Sequence, residues 1–423
     1  MKRLGQFIYT VFVTCYSWGI RIAALWNPKA RLWVEGRKDI LSTINSQLST
    51  VNAKLVWMHC ASLGEFEQGR PLLEAIKISN PEIKTVLSFF SPSGYEVMKN
   101  YSGADHIFYL PMDSKTNALK FIDAIRPSLV LWVKYEFWFY YLAELKRRNI
   151  HTILVSGIFR NNQPFFKWYG GIWRIMLNCF THIFVQNEQS ALLLEKICTN
   201  QNITVNGDTR FDRVIAIAEK FEEIPFIAAY CNNKQVVVAG STWEEDEVEL
   251  LHFVNAHPEI IFIIAPHEVD EENLADVKKE FPNSMFYSEL IATPIGQPST
   301  ANVLIIDNIG MLSRLYKYAT IAYVGGGFGV DGVHNVLEAA VYGKPVIIGP
   351  VYEKFDEATG LVETGGGISI SGLLELEAVM NKLLLDDEER DRVGETARNF
   401  VHSRAGAAEK IIRYIQVNRL LTN

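Results

Sequence analysis

Two consecutive Rossmann-like α/β domains are the fold class this sequence predicts, and three observations predict it. Short Val/Ile/Leu/Phe runs alternate with helical intervals from Lys54 onward, the alternation breaks at "EEIPF" (222–226), and it then begins again. At 423 residues the chain also exceeds what one hydrophobic core ordinarily organises. Uninterrupted apolar runs of four to seven residues are what a parallel sheet covered on both faces requires.

The first series runs in order through "KLVWMHCAS", "KTVLSFFS", "HIFYLP", "SLVLWV", "HTILVSGIF", "HIFVQN" and "ITVNG", with helical segments such as "GEFEQGRPLLEAIKIS" between most of them. The second comprises "QVVVAG", "IIFIIAP", "NVLIID", "TIAYVGG" and "KPVIIGP". The expected division is residues 28–222 and 223–423, the second including the C-terminal helices. In open α/β sheets ligands bind outside the carboxyl ends of strands, so a cleft between two such domains is the expected site. Ser62-Leu63-Gly64-Glu65, Ser91, Glu136, Gly240-Ser241-Thr242 and Pro266-His267 all follow strands.

Residues 1–27 differ from the rest. Phe7 to Ile20 is a nearly unbroken apolar run, interrupted by Arg21 and resumed to Trp26. It falls short of the ~20 residues that span a bilayer, and no small-residue cleavage site follows it. The expectation is an interfacial or marginally spanning anchor; a buried N-terminal helix is the alternative. From Met1 to Lys54 there are eight Lys/Arg against two acids. Arg21, Lys29, Arg31, Arg37 and Lys38 lie on the far side of the run from Lys2 and Arg3, which places the globular part in the cytoplasm if the run spans. That basic segment suits an anionic lipid surface.

Formal net charge is −7, which argues against nucleic acid as the main partner. Five scattered cysteines form no C-x-x-C and read as reduced, buried thiols of a cytosolic compartment. No Asp-x-Asp and no metal-ligand spacing occurs, so neither metal nor cofactor is expected.

The most informative stretch is "GGGFGVDGVHNVLEAAVYGKPVIIGP" (325–350). Gly327 to Gly332 matches G-x-G-x-x-G after a strand, but no ribose-binding acid ends the next strand, so a nicotinamide site is disfavoured. Glycines let backbone approach a ligand, and a helix opening near His334-Asn335 would offer N–H groups to a phosphate. Asn335 reads as a cap. Glu338, one turn in, can accept two hydrogen bonds from ribose hydroxyls or simply face the helix dipole.

This stretch resembles the donor-binding segment of the 3-deoxy-D-manno-octulosonic acid (Kdo) transferases of lipopolysaccharide synthesis. "MHCASLGEFEQGRPLLEAI" (58–76), "VKYEFWF", "VQNEQSALLL", "NGDTRFD", "VAGSTWEEDE" and "DNIGMLSRLYKYATIAYVGGG" resemble further motifs of that family, in its order. The resemblance implies a GT-B fold, two Rossmann-like domains facing across a cleft, and inverting transfer of Kdo from CMP-Kdo to a lipid A precursor at the inner membrane.

It also implies residue roles. Glu65 would be the general base, with Glu136 and Arg210 stabilising the transition state. Pro266, His267, Ile309, Gly310, Met311, Asn335, Val336, Leu337 and Glu338 would hold CMP. Ser241, Thr242, Gly326, Gly327 and His334 are candidate phosphate contacts, although Ser241 and Thr242 read foremost as helix caps. Ser62, Gly64, Arg160 and Lys167 are candidate acceptor contacts. The sequence departs from the family's pattern at His267-Glu268, where the family often has Arg-His, at Gly332-Val333-His334-Asn335, where it has Gly-Gly-His-Asn, and at "SPSGYE" (91–96), which lacks an Arg. Alternatives are a sugar-nucleotide epimerase of similar shape and a non-catalytic membrane-bound sugar-nucleotide-binding protein.

Overall fold

The computed structural model describes residues 2–48, 53–134, 136–198, 202–296 and 300–421. They form two compact units, residues 1–213 with 405–423, and residues 214–404. Each is a parallel sheet covered by helices.

In the first unit the strands are β1 (Leu55–Cys60), β2 (Lys84–Phe89), β3 (His106–Tyr109), β4 (Leu129–Val133), β5 (His151–Gly157), β6 (His182–Val185) and β7 (Asn202–Val205). They pair in the order β3-β2-β1-β4-β5-β6-β7. Every residue of β1 and β4 is buried, which is why both read as continuous apolar runs. The order reverses between β1 and β4, so the crevice at their carboxyl ends is the position where such a sheet holds ligands.

The second unit comprises β8 (Val236–Thr242), β9 (Ile261–Pro266), β10 (Ser284–Phe286), β11 (Val303–Ile305), β12 (Ile321–Val324), β13 (Val346–Ile348) and β14 (Gly367–Ser369), in the order β10-β11-β9-β8-β12-β13-β14. Its reversal lies between β8 and β12. The edge strands β10 and β14 are absent from the sequence reading. Each has three residues, and neither makes an apolar run.

The N-terminal segment forms a 22-residue helix, Lys2–Ala23. Among the described residues no helix is long and apolar enough to cross a membrane, so the marginally spanning form of the anchor is set aside. The helix is two-faced instead. Val13 is buried, the Tyr9 hydroxyl donates to Asp113 at 2.5 Å, and Asp113 accepts from the backbone N–H groups of Tyr140 and Tyr141. Phe7, Phe12 and Trp18 are each more than 60% exposed on the other side.

Arg37, one of the basic residues that follow the apolar run, is half-buried, with its guanidinium engaged by the protein itself. It donates to the carbonyls of Trp33, Phe90 and Leu110 and lies against the rings of Trp33, Phe90 and Tyr109. Burial lowers its pKa to about 9. Of the five thiols, Cys15 is exposed and the other four are buried and unbridged.

The last helix, Ala407–Val417, packs in the first unit, where the sequence reading kept it with the second. Ile411 and Ile415 enter the core beside Val56, Met58 and Leu131. Asp212 accepts from the N–H groups of Gly406 and Ala408 at 2.6 and 3.0 Å, and Asn206 donates to Ala407 O. The units part within the helix Thr209–Glu219, nine residues before the expected 222.

Candidate active site

At the carboxyl end of β1, Ser62 caps the helix Leu63–Ser79 with an extended backbone (φ −139°, ψ 174°) and accepts from Glu65 N at 3.5 Å. Glu65 is 7% exposed, and its Oε2 accepts from Ala61 N at 2.5 Å. The pair is one half of a Ser-x-x-Glu capping box, with the carboxylate bound one residue earlier than usual. The capping role and a fixed carboxylate at the crevice are thus the same interaction. Gly64 is exposed, with open space where a side chain would stand.

Beyond β4, Lys134 takes a left-handed backbone (φ 57°) that bends the chain after the strand. Glu136 follows in a non-helical segment, ahead of Trp138, which caps the helix Phe139–Arg147. A first-turn helix charge is therefore not its role. Trp132 Nε1 donates to Glu136 O at 2.5 Å, and Trp138 Nε1 donates to its Oε2 at 3.1 Å. Burial, with the charge of Glu65 second, raises the Glu136 pKa to about 8. Burial and the charge of Glu65 thus both favour the protonated form of Glu136.

Arg210 clasps Asp208, with Nη2 and Nε at 2.7 and 2.8 Å from Oδ2 and its backbone N at 2.9 Å from Oδ1. Burial acts against the Asp208 charge, but Arg210 and then Lys134 outweigh it and hold the carboxyl below its ordinary range. Thr209 donates to Gln68 O at 2.6 Å and Arg213 to Glu67 at 2.7 Å. These contacts fix the Arg210 segment one turn from Glu65 along the same helix. Arg160 and Lys167 lie on the loop after β5, Arg160 exposed and Lys167 half-buried.

The second unit carries its own cluster at the β8/β12 reversal. Ser241 has φ 54° at a bulge in β8. Neither Ser241 nor Thr242 caps the following helix Glu244–Ala256. Trp243 is the cap residue, and the Thr242 hydroxyl donates to Glu247 at 2.7 Å. Asp246, fully buried, accepts from Trp243 N, Gly326 N and the Tyr323 hydroxyl.

The glycines serve the protein's own backbone. A Cβ on Gly325 would stand 2.4 Å from Ser241 O, one on Gly326 2.6 Å from Gly332 O, and one on Gly327 2.6 Å from Gly349 N. The expected helix at His334-Asn335 also shortens to Leu337–Ala340, whose Leu337 N–H donates to Asn335 Oδ1 at 3.3 Å. Asn335 Nδ2 donates to Glu338 Oε1 at 3.0 Å. Val336 and Leu337, expected to hold CMP, are fully buried, backbone included, and present no surface to a ligand in this structure.

Trp243, His267 and His334 form a stack, with centroids 4.7 Å apart for Trp243/His267 and 4.3 Å for His267/His334. Trp243 Nε1 donates to His334 Nε2 at 2.9 Å. An indole can only donate, so His334 carries its proton on Nδ1. Burial lowers the pKa of both histidines, that of His334 to about 4. Burial thus works against a charged ring at either position. Beyond β11, Ile309 and Gly310 are exposed and Met311 is buried, and Gly310 has φ 95°.

The sequence reading lacks Trp243 and Asp246, and it took Arg37 only as one of the basic residues after the apolar run. Helical spacing contained a signal for the last: Leu250, Phe253 and Val254 are buried, and stepping back four and three residues from Leu250 reaches Asp246 and Glu247. Nothing in the sequence marks Arg37, whose partners are main-chain carbonyls.

Residues 34–213 match the family described as 3-deoxy-D-manno-octulosonic-acid transferase (kdotransferase). A 3-deoxy-D-manno-octulosonic acid transferase of Haemophilus influenzae is 24% identical over 84% of this chain and 85% of its own length. That of Aquifex aeolicus is 26% identical, over 82% and 91%. A bifunctional glycosyltransferase/methyltransferase of Fusobacterium nucleatum is 27% identical over 83% of this chain, but over only 57% of its own length. Among solved structures, the UDP-GlcNAc 2-epimerase of Neisseria meningitidis bound to UDP-GlcNAc aligns over 86% of this chain and 99% of its own, with TM-score 0.61 and 15% identity. Anabaena HepE in complex with UDP aligns over 86% and 100%, with TM-score 0.55 and 11% identity. These two likenesses are of fold, the paired parallel-sheet α/β architecture of GT-B proteins.

Proposed function

We propose that this chain, a homologue of the Kdo transferases whose residues 34–213 carry their N-terminal domain, is a glycosyltransferase that moves Kdo from CMP-Kdo to a hydroxyl of the lipid A precursor lipid IVA. The observation that carries the reading is the match of residues 34–213, within which Glu65 and Glu136 meet at the β1/β4 reversal.

The first unit supplies the acceptor chemistry. Glu65 takes the proton of the acceptor hydroxyl as that oxygen bonds to the anomeric carbon and the bond from this carbon to the CMP phosphate breaks, inverting the centre. The Ala61 N–H holds the carboxylate in place for this step. Glu136, protonated at neutral pH, donates a hydrogen bond that orients the reacting oxygen. Arg210, anchored on Asp208, balances the negative charge of the sugar carboxylate or the departing phosphate.

The second unit holds the nucleotide. Glu338, oriented by Asn335, accepts from the ribose hydroxyls, and the turn Ile309–Met311 reads the base edge. His267 and His334 meet the phosphate as neutral donors, and the backbone at Gly326 and Gly327 with Ser241 lines its seat. Ser62 and Gly64 at the helix start, with Arg160 and Lys167 on the β5 loop, contact the acceptor. The exposed apolar face of the helix Lys2–Ala23 lies in the lipid interface of the inner membrane, with the globular units in the cytoplasm.

The test is a transfer assay with detergent-solubilised protein, CMP-Kdo and tetra-acylated lipid A precursor, read by mass spectrometry beside Glu65→Gln. The expected result is a lipid heavier by one or more Kdo residues, with the variant inactive yet still binding CMP. Folded protein that binds CMP but transfers nothing overturns the donor or acceptor. A parallel incubation with UDP-GlcNAc tests the epimerase alternative.

A further inference from the structure

His59 lies on β1, fully buried, with its ring 4.5 Å from that of Trp132 and 6.3 Å from that of Trp57. The proposed reaction makes no use of it. Its hydrogen bonds nevertheless define its state. Trp57 Nε1 donates to Ser88 Oγ at 2.8 Å, and the same Oγ lies 2.9 Å from His59 Nδ1. Trp57 can only donate, so Ser88 spends a lone pair on it. Ser88 is itself fully buried on β2, directly across from His59, and its hydroxyl proton needs an acceptor. His59 Nδ1 is that acceptor. The ring therefore carries its proton on Nε2.

That Nε2–H is buried and has no hydrogen-bond partner. A buried N–H without a partner is costly enough that its surroundings call for explanation. The acceptor it faces is Glu136 Oε2, 3.9 Å away. A shift of the Glu136 carboxyl by about 1 Å brings the pair to ordinary hydrogen-bond distance. A charged histidine is not the explanation, since burial pushes its pKa down to about 3, the Ser88 backbone opposes this only in part, and Arg37 adds to the lowering. The Trp138 indole already donates to the same oxygen at 3.1 Å. Two fixed donors thus converge on Oε2 alone.

We propose that His59 is a positioning residue for Glu136: the chain Trp57–Ser88–His59 presents a fixed Nε2–H to Oε2, commits that oxygen as an acceptor together with Trp138, and turns Oε1 toward the substrate. The inference rests on the reading of Glu136 as a group that meets the reacting oxygen. Glu65, Arg37 and Tyr16 are the other ionisable groups whose charge Glu136 and its neighbours feel.

The assignment has a test that needs no substrate. In protein with 15N-labelled histidine, two-bond couplings identify the tautomer of His59, and the Nε2–H form is expected. Finding the Nδ1–H form overturns the proposal whatever the activity. If the protein transfers no Kdo at all, the functional reading falls while this measurement still decides the tautomer.

The kinetic test compares His59→Met, which fills the space without a donor, with His59→Gln, whose amide places an N–H near the Nε2 position. His59→Met is expected to lower kcat about ten- to a hundredfold, the effect of one lost hydrogen bond to a reacting carboxyl. KM for both substrates and CMP affinity should stay within about twofold. His59→Gln should recover most of the loss, and both variants should shift the pH limb assigned to Glu136. Should His59→Met fail to fold, Ser88→Ala, which frees the ring to exchange tautomers, is expected to give a smaller loss in kcat of the same kind. A folded His59→Met with unchanged kcat, or a loss confined to KM, overturns the proposal, as does a His59→Gln no better than Met.

Discussion

Replacing Glu136 with Gln should make the protein less sensitive to alkali. In the folded chain this carboxyl titrates at about 8, against an ordinary value of 4.5. Below 4.5 folded and unfolded chains both hold the proton. Between 4.5 and 8 only the folded chain holds it, so stability falls steadily as pH rises, and above 8 the loss is complete. At 1.36 kcal/mol per pH unit the upper limit is about 5 kcal/mol. The side chain remains 30% exposed, and solvent screening brings the expectation down to about 1–3 kcal/mol. The assay is urea unfolding of wild type and Glu136→Gln at pH 5.5 and pH 9, followed by near-ultraviolet circular dichroism. Subtracting the variant from the wild type cancels groups that the substitution does not touch. The wild type should lose about 0.7–2 kcal/mol relative to the variant between the two pH values, because the window from pH 5.5 covers most but not all of the titration. An identical gap at both would refute a protonated Glu136.

Gly325→Ala should destabilise the second unit by about 2–3 kcal/mol in thermal unfolding, because its Cβ would stand 2.4 Å from Ser241 O and 2.8 Å from Asp246 Oδ2. Glu338→Gln should weaken CMP binding about ten- to a hundredfold by calorimetry, since a charged acceptor is lost while Asn335 keeps its neighbour. Trp243→Phe keeps the ring stack but removes the indole N–H that donates to His334 Nε2, and nitrogen NMR should show the Nδ1–H tautomer give way to a mixture. Exchanging Phe7, Phe12 and Trp18 for serine should lower binding to anionic vesicles more than tenfold, as each presents a large apolar surface.

Much of this architecture was legible because buried parallel strands leave a plain mark. "LVWMHC" and "LVLWV" contain hardly a polar residue, and the structure buries both strands completely. The edge strands Ser284–Phe286 and Gly367–Ser369 leave no such mark, being three residues long and half-exposed in places. The glycine stretch was found, but its close packing against the protein's own backbone was not. From sequence alone, a glycine that admits a ligand cannot be told from one that admits Ser241 or Gly349. Glu65 was visible as Ser-x-x-Glu. The neutral state of Glu136 was not, because it depends on burial and on Glu65, seventy-one positions earlier in the chain. The apolar N-terminal run likewise concealed its second face, where Tyr9 and Thr10 hydrogen-bond to Asp113 and Tyr140.

The placement of the helix Ala407–Val417 bears on how the polypeptide is made. Residues 214–404 are continuous and fold around contacts drawn from within that interval, whereas the first unit needs Ile411 and Ile415 to complete its core. A ribosome therefore releases the ingredients of the first unit in two instalments, separated by the whole of the second. Until the last instalment emerges, Asp212 lacks the N–H groups of Gly406 and Ala408, and the apolar surface around Met58 and Phe184 has no cover from Ile411. The part synthesised first is the part finished last, and its core stays open until the second unit has been made.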